Sequence, residues 1–158
     1  MAYIKKNIIL ILCFISFFGF SQTEEVIWHT DINSAIQESI STDKPLMLFF
    51  TGSDWCGWCK KLKADVLDKT IFAKWAKNNV VAVELDYPRR KQLPQNIVEQ
   101  NAQLKQMFPV RGYPTIFFCE PVIESNKITD WGVLGNCGYN PAGSGAQAWI
   151  NHVEQFLD

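Results

Sequence analysis

Cys56 and Cys59 flank Gly57 and Trp58 in the stretch TGSDWCGWCKKLK, residues 51–63. Two thiols at this spacing have four uses. They can cycle between dithiol and disulfide, supply half of a zinc site, carry a haem, or lock a turn as a structural disulfide. Haem attachment asks for His directly after the second cysteine, and Lys60 stands there. Zinc asks for two further ligands. Cys119 and Cys137 do not form a second close pair, and only His29 and His152 could help. No metal is therefore expected. The redox pair and the structural disulfide stay open until the flanking chain is considered.

The elements around the pair bear on that choice. Residues 46–50, LMLFF, form an unbroken apolar run of strand length, as in a central strand covered on both faces. The segment after the cysteines reads as a helix through Leu67. The pair thus sits where a strand hands over to a helix. Free N–H groups and the positive end of the helix dipole favour an anion there. A cysteine in the first turn has its thiolate favoured, and thiolate is the attacking species in disulfide exchange. Cys56 is the expected nucleophile. Cys59, nearly one turn on, is the expected resolving thiol. The two would carry the electrons themselves, so no cofactor is expected.

The rest of the chain alternates strand and helix signals. Residues 25–29 read as a short strand. Asp31 is placed to cap a helix over 32–41, with Ile32, Ala35, Ile36 and Ile40 on one face. Thr70 is the expected cap of a shorter helix containing Ile71, Phe72 and Trp75. Residues 80–85 read as a second buried strand, 87–94 as a polar loop and 95–107 as a helix. Residues 115–119 and 128–134 read as an antiparallel hairpin, 135–145 as a Gly-rich loop, and 144–157 as a closing helix. In that hairpin Cys119 lies at the turn end and Cys137 beyond the open end, too far apart to bond. This order predicts an α/β sheet with helices on both sides.

The N-terminus speaks to location. Lys5 and Lys6 precede an apolar run over 8–18, and Gly19 and Ser21 supply small residues after it. The run is short of the roughly 20 residues that span a bilayer. Residues 1–21 are read as a secretory signal peptide cut after Ser21, which predicts a periplasmic protein. The remaining 137 residues, 22–158, suit one domain. With 13 Lys plus Arg against 16 Asp plus Glu, that part carries −3, which argues against nucleic acid as a partner. Four cysteines are too few for a disulfide scaffold.

Two segments together resemble one family. WCGWCK, residues 55–60, resembles the WCGPCK pattern of the thioredoxin superfamily. VRGYPT, residues 110–115, resembles that family's cis-proline segment, with Pro114 as the proline and Tyr113 before it. VELD, residues 83–86, sits where the family's third strand ends in Asp. Gly135, with Gly132 as the alternative, takes the place of a glycine flanking the substrate groove. The resemblance implies a thioredoxin fold, a central mixed β-sheet with helices on both faces. It implies a thiol–disulfide oxidoreductase with a redox-active Cys56–Cys59 disulfide. Trp55, Gly57, Trp58, Tyr113 and Pro114 would line the groove. Expected partners are disulfide-containing exported proteins and a membrane-bound electron donor, with the protein itself a monomer. Packing is the expected role of Trp28, Trp75, Trp131 and Trp149.

The chain also departs from the family pattern. Phe50 aligns with the buried acid six residues before the first cysteine, Ala82 with its lysine, and Trp58 with the central proline. Asp54 and Glu84 are the nearest acids in sequence. A different class of function therefore stands beside the enzyme: a binding or chaperone-like module that keeps the disulfide for stability. The intact pair at a helix start, together with Pro114, favours the enzyme.

Overall fold

A computed structural model describes residues 25–125, 127–139 and 145–157. Residues 1–21, read from sequence as a signal peptide, lie outside the described residues. Five strands form one mixed sheet: β1 (Trp28–His29), β2 (Leu46–Thr51), β3 (Val81–Asp86), β4 (Thr115–Glu124) and β5 (Lys127–Cys137), in the order β1-β3-β2-β4-β5. β1, β3 and β2 run parallel, while β4 and β5 are antiparallel additions. β2 is the middle strand and is buried at all six positions. The period-2 alternation of side chains sends Met47 and Phe49 to one face and Leu46, Leu48 and Phe50 to the other.

Each face is covered by helices. On the Phe49 face lie α2 (Gly57–Leu62), α3 (Thr70–Asn79) and α5 (Ala146–Glu154). Phe72, Trp75, Phe118 and Trp149 interlock there, with ring centroids 5.7–6.5 Å apart. On the Phe50 face lie α1 (Ile32–Thr42) and α4 (Gln95–Met107), packed on Phe50, Phe108 and Phe117. Trp28 packs on Phe49, and Trp131 on Phe108. This is the thioredoxin fold with helices on both faces of a mixed sheet.

Local chemistry sets the element ends. The Asp31 carboxylate accepts the Ser34 N–H at 2.8 Å and caps α1, and Asp43 ends the helix at φ 54°. Thr70 is not a cap: it is already helical, and Lys69 occupies the cap position without a side-chain bond. Leu67 closes the helical run as expected, but residues Lys63–Leu67 wind as a π-turn. The hairpin is longer at both ends than its apolar pattern suggests. β4 reaches Glu124 and β5 reaches Cys137, so Gly135 lies in a strand, not a loop. Backbone pairing carries the strands past the residues that the core covers.

Cys119 and Cys137 are unbonded. The reason differs from distance along a short hairpin. Cys137 stands opposite Ile116 and faces the α2–α3–α5 side, whereas Cys119 faces α1 and α4. The sheet itself separates the two sulfurs.

Candidate active site

The chain leaves β2 at Thr51 and turns at once. The Cys56 N–H donates to the Gly52 carbonyl at 2.8 Å, which closes the turn and starts α2. Cys56 is the N-cap of α2, and its Sγ accepts the Cys59 N–H at 3.1 Å. A cap normally offers an oxygen to this orphan donor. Here sulfur takes that place, so a backbone dipole points at Cys56 Sγ, an arrangement that favours negative charge on that atom. Cys56 and Cys59 are joined as a disulfide, their Cα atoms 5.3 Å apart. Relative exposure is 5% for Cys56 and 1% for Cys59, so Cys56 is the outer of the two.

Two aromatic walls rise beside the pair. The Tyr113–Pro114 bond is cis. Tyr113 meets Trp55 edge-on, with centroids 5.6 Å apart, and Tyr87 lies 5.5 Å from Tyr113. Trp55 Nε1 donates to the Tyr87 carbonyl at 2.8 Å. Its indole lies so close to Gly52 that a Cβ there would overlap the ring. Trp58 forms the other wall. It is 62% exposed and packs with its ring tilted against Tyr139, centroids 5.5 Å apart, and the Tyr139 hydroxyl donates to Asp65 at 2.7 Å. Gly57 lies between the walls, and beyond its chain neighbours and its own helix backbone nothing lies within 4 Å of where its Cβ would be.

Gly135 does not border the groove, because Phe156 covers its Cα. Gly138 stands there instead: a Cβ on it would come within 3.3 Å of the Pro114 carbonyl. Phe50 points away from the cysteines, into the α1–α4 core. Its neighbour Thr51 lies on the cysteine face of the strand, fully buried, with no hydrogen-bond partner for its hydroxyl. The two acids singled out by sequence are both engaged. Glu84 lies 3.8 Å from Lys63. Asp54 accepts the N–H groups of Arg89, Arg90 and Lys91 at 2.6–3.1 Å. Those bonds, Arg89's foremost, hold the Asp54 carboxyl below the usual carboxylate range. Asp86, at the end of β3, accepts from Ser53 and lies 2.7 Å from Lys91 Nζ.

Sequence reading missed Tyr87, Arg89, Gly138 and Tyr139. The first two fall in a loop whose polarity is its only signal, and the others in a Gly-rich stretch. Among the described residues, no group of three or more His, Cys, Asp or Glu side chains could hold a metal. No helix among them is long and apolar enough to cross a membrane.

Comparison with known proteins agrees with this geometry. Residues 32–122 match the model of the thioredoxin-like domain. The chain is 32% identical over 123 residues to the disulfide bond reductase DsbH of Chlamydia pneumoniae, covering 78% of this chain and 68% of that protein. It is also 32% identical over 114 residues to the thioredoxin-related protein DsbJ of the same organism, 72% of this chain but 32% of DsbJ. A solved structure of a DsbH oxidoreductase superposes with a TM-score of 0.71 at 30% identity, over 84% of this chain and 85% of that one. A Thermus thermophilus thioredoxin, at 14% identity and a TM-score of 0.58, shares the fold. The chain belongs to the thioredoxin-like family.

Proposed function

We propose that this protein, a thiol–disulfide oxidoreductase, reduces or exchanges disulfides in exported proteins, with Cys56 as nucleophile and Cys59 as resolving thiol. The observation that carries the reading is the Cys56 Sγ at the N-cap of α2, held on the Cys59 N–H. That geometry stabilises a thiolate on the outer sulfur only.

In the dithiol form, the Cys56 thiolate attacks one sulfur of a substrate disulfide. A Cys56–substrate disulfide forms, and the other substrate sulfur leaves and takes up a proton. Cys59 then loses its proton and attacks Cys56 Sγ, so the substrate's second sulfur leaves as a thiol. The substrate gains two electrons from the pair, one proton from Cys59 and one from solvent, and the Cys56–Cys59 disulfide remains. An external dithiol must reduce it again, and a membrane-bound donor suits that task. The backbone of Tyr113, beside cis Pro114, can pair with an extended substrate segment as one strand adds to another. Trp55 and Trp58 hold that segment on either side of Gly57. A periplasmic location rests on residues 1–21, and the name of the DsbH relative is consistent with a reductase.

Cys59→Ala removes the internal attacker, so mixed disulfides should accumulate when the variant is expressed with its natural substrates. Cys56→Ala should trap little and lose insulin reduction with dithiothreitol as donor. Non-reducing gels followed by mass spectrometry read both outcomes. Equal trapping by the two variants would remove the assigned order. Absence of adducts and of insulin reduction would leave the binding-module reading.

A further inference from the structure

We propose that the Trp55–Tyr113 wall selects substrate disulfides flanked by acidic side chains, with Arg89 and Lys105 as the recognising cations; this rests on the reductase reading above. Two cations from different elements lie over the rings of that wall, and a third is held at the residue before Trp55. The Arg89 guanidinium lies 3.9 Å from the centre of the Trp55 ring. Lys105 Nζ, from α4, lies 5.2 Å from the Tyr113 ring and 5.4 Å from that of Tyr87. Lys60 Nζ donates to the Asp54 carbonyl at 3.2 Å, two residues before Cys56. A chain that pairs with Tyr113 and presents a disulfide to Cys56 runs between these charges.

The manner of holding matters. A ring face positions a cation without consuming its charge, and the N–H groups stay available to a carboxylate. Of the nearby lysines, three are already matched: Lys61 with Asp65 at 2.8 Å, Lys63 with Glu84, and Lys91 with Asp86. Among the described residues, no carboxylate lies within ion-pair distance of Arg89 or Lys105. The acids beside them are spent, Asp54 on three backbone N–H groups and Asp86 on Ser53 and Lys91.

The loop that carries Arg89 is also fixed in advance. Asp54 grips its backbone at three consecutive residues, and the Lys91–Asp86 pair holds its far end. Asp54 immediately precedes Trp55, so one short segment places both the ring and the cation on it. The opposite wall is built differently. There Lys61 lies over Tyr139 but pairs with Asp65, so it presents no free charge. The polarity is therefore one-sided, in a chain whose formal net charge is −1. A substrate with Asp or Glu on the Trp55 side of its cysteine gains an ion contact. One with Lys there meets repulsion, both in the encounter and in the bound state.

The test uses two disulfide-bonded peptides that differ only in carrying Glu or Lys beside the attacked cysteine, with dithiothreitol as donor. The readout is the ratio of kcat/KM for the Glu peptide over the Lys peptide. Wild type should favour the Glu peptide several-fold at low salt, and the ratio should shrink at high salt. Arg89→Gln and Lys105→Gln should each lower it about two- to fivefold, the scale of one exposed ion contact. Arg89→Lys should retain most of it, which mere packing on Trp55 would not predict. The two positions are exposed and on different elements, so a folding defect in one variant leaves the other informative. Equal rates for the two peptides in wild type, or an unchanged ratio in both Gln variants, would overturn the proposal. Failure of wild type to reduce either peptide would overturn the reductase reading itself, and the proposal with it.

Discussion

Gly52 and Gly57 bracket Trp55 and Cys56, and replacing each with Ala should have opposite effects. At Gly52 the new methyl would overlap the Trp55 indole at Cε2, Cζ2 and Nε1. The ring cannot yield freely. It is tied by the Nε1 bond to the Tyr87 carbonyl, the edge-on contact with Tyr113 and the Arg89 guanidinium on its face. Displacing it forfeits a hydrogen bond worth about 1 kcal/mol, an aromatic pair worth about 1 kcal/mol and a cation–π contact worth about 0.5–1 kcal/mol. Against this stands a gain of about 0.5–1 kcal/mol from restricting the unfolded chain. The net cost of Gly52→Ala is then about 2 kcal/mol, or about 4–8 °C in Tm for a chain of this size. At Gly57, in the first turn of α2, a methyl meets open space. Gly57→Ala should stabilise by about 0.5–1 kcal/mol. Urea and thermal unfolding of the oxidised proteins measure both. Indole fluorescence should shift in Gly52→Ala alone. A Gly52→Ala protein that melts with wild type would refute the claim that Trp55 is clamped, and with it the fixed wall beside Cys56.

Two further outcomes concern titrating groups. Burial pushes the Cys119 and Cys137 thiols up to about 12, so in the folded oxidised protein neither should react with a thiol reagent at pH 8, while both should react in guanidinium. Raised folded values stabilise below the ordinary thiol value of 9.0, and that contribution is lost as pH climbs through about 12; rapid native labelling of either thiol would contradict this. Asp54 runs the other way. Its depressed carboxyl stabilises the Arg89–Lys91 loop above the ordinary value of 3.8, and that support is lost as pH falls through the lowered value. Hydrogen-exchange protection of those three amides should therefore drop on strong acidification and be absent at neutral pH in Asp54→Ala; protection that survives both would show that another contact holds the loop.

The sequence alone determined what depends on neighbours along the chain. The buried run of β2, the capped α1, α4, and the cysteine pair at a helix start all follow from residue types a few positions apart, as local hydrogen bonding and side-chain periodicity act over that range. The two motifs around Cys56 and Pro114 were legible for the same reason. What only the tertiary structure decided is which distant groups meet them. Tyr139 lies 81 residues beyond Trp58, and Arg89 34 beyond Trp55, and no periodicity connects either pair. The side of the sheet that each residue faces was equally hidden. In a strand buried on both faces, apolar residues occupy every position, so hydrophobicity carries no parity. The five apolar residues that precede Thr51 therefore do not say whether Phe50 or Thr51 occupies the cysteine face until the helices are docked. Only the packing of α2 over Phe49 puts the Thr51 hydroxyl, and not the Phe50 ring, on that side. The same docking sets Cys119 and Cys137 on opposite faces, a separation that register in space dictates and spacing in sequence cannot.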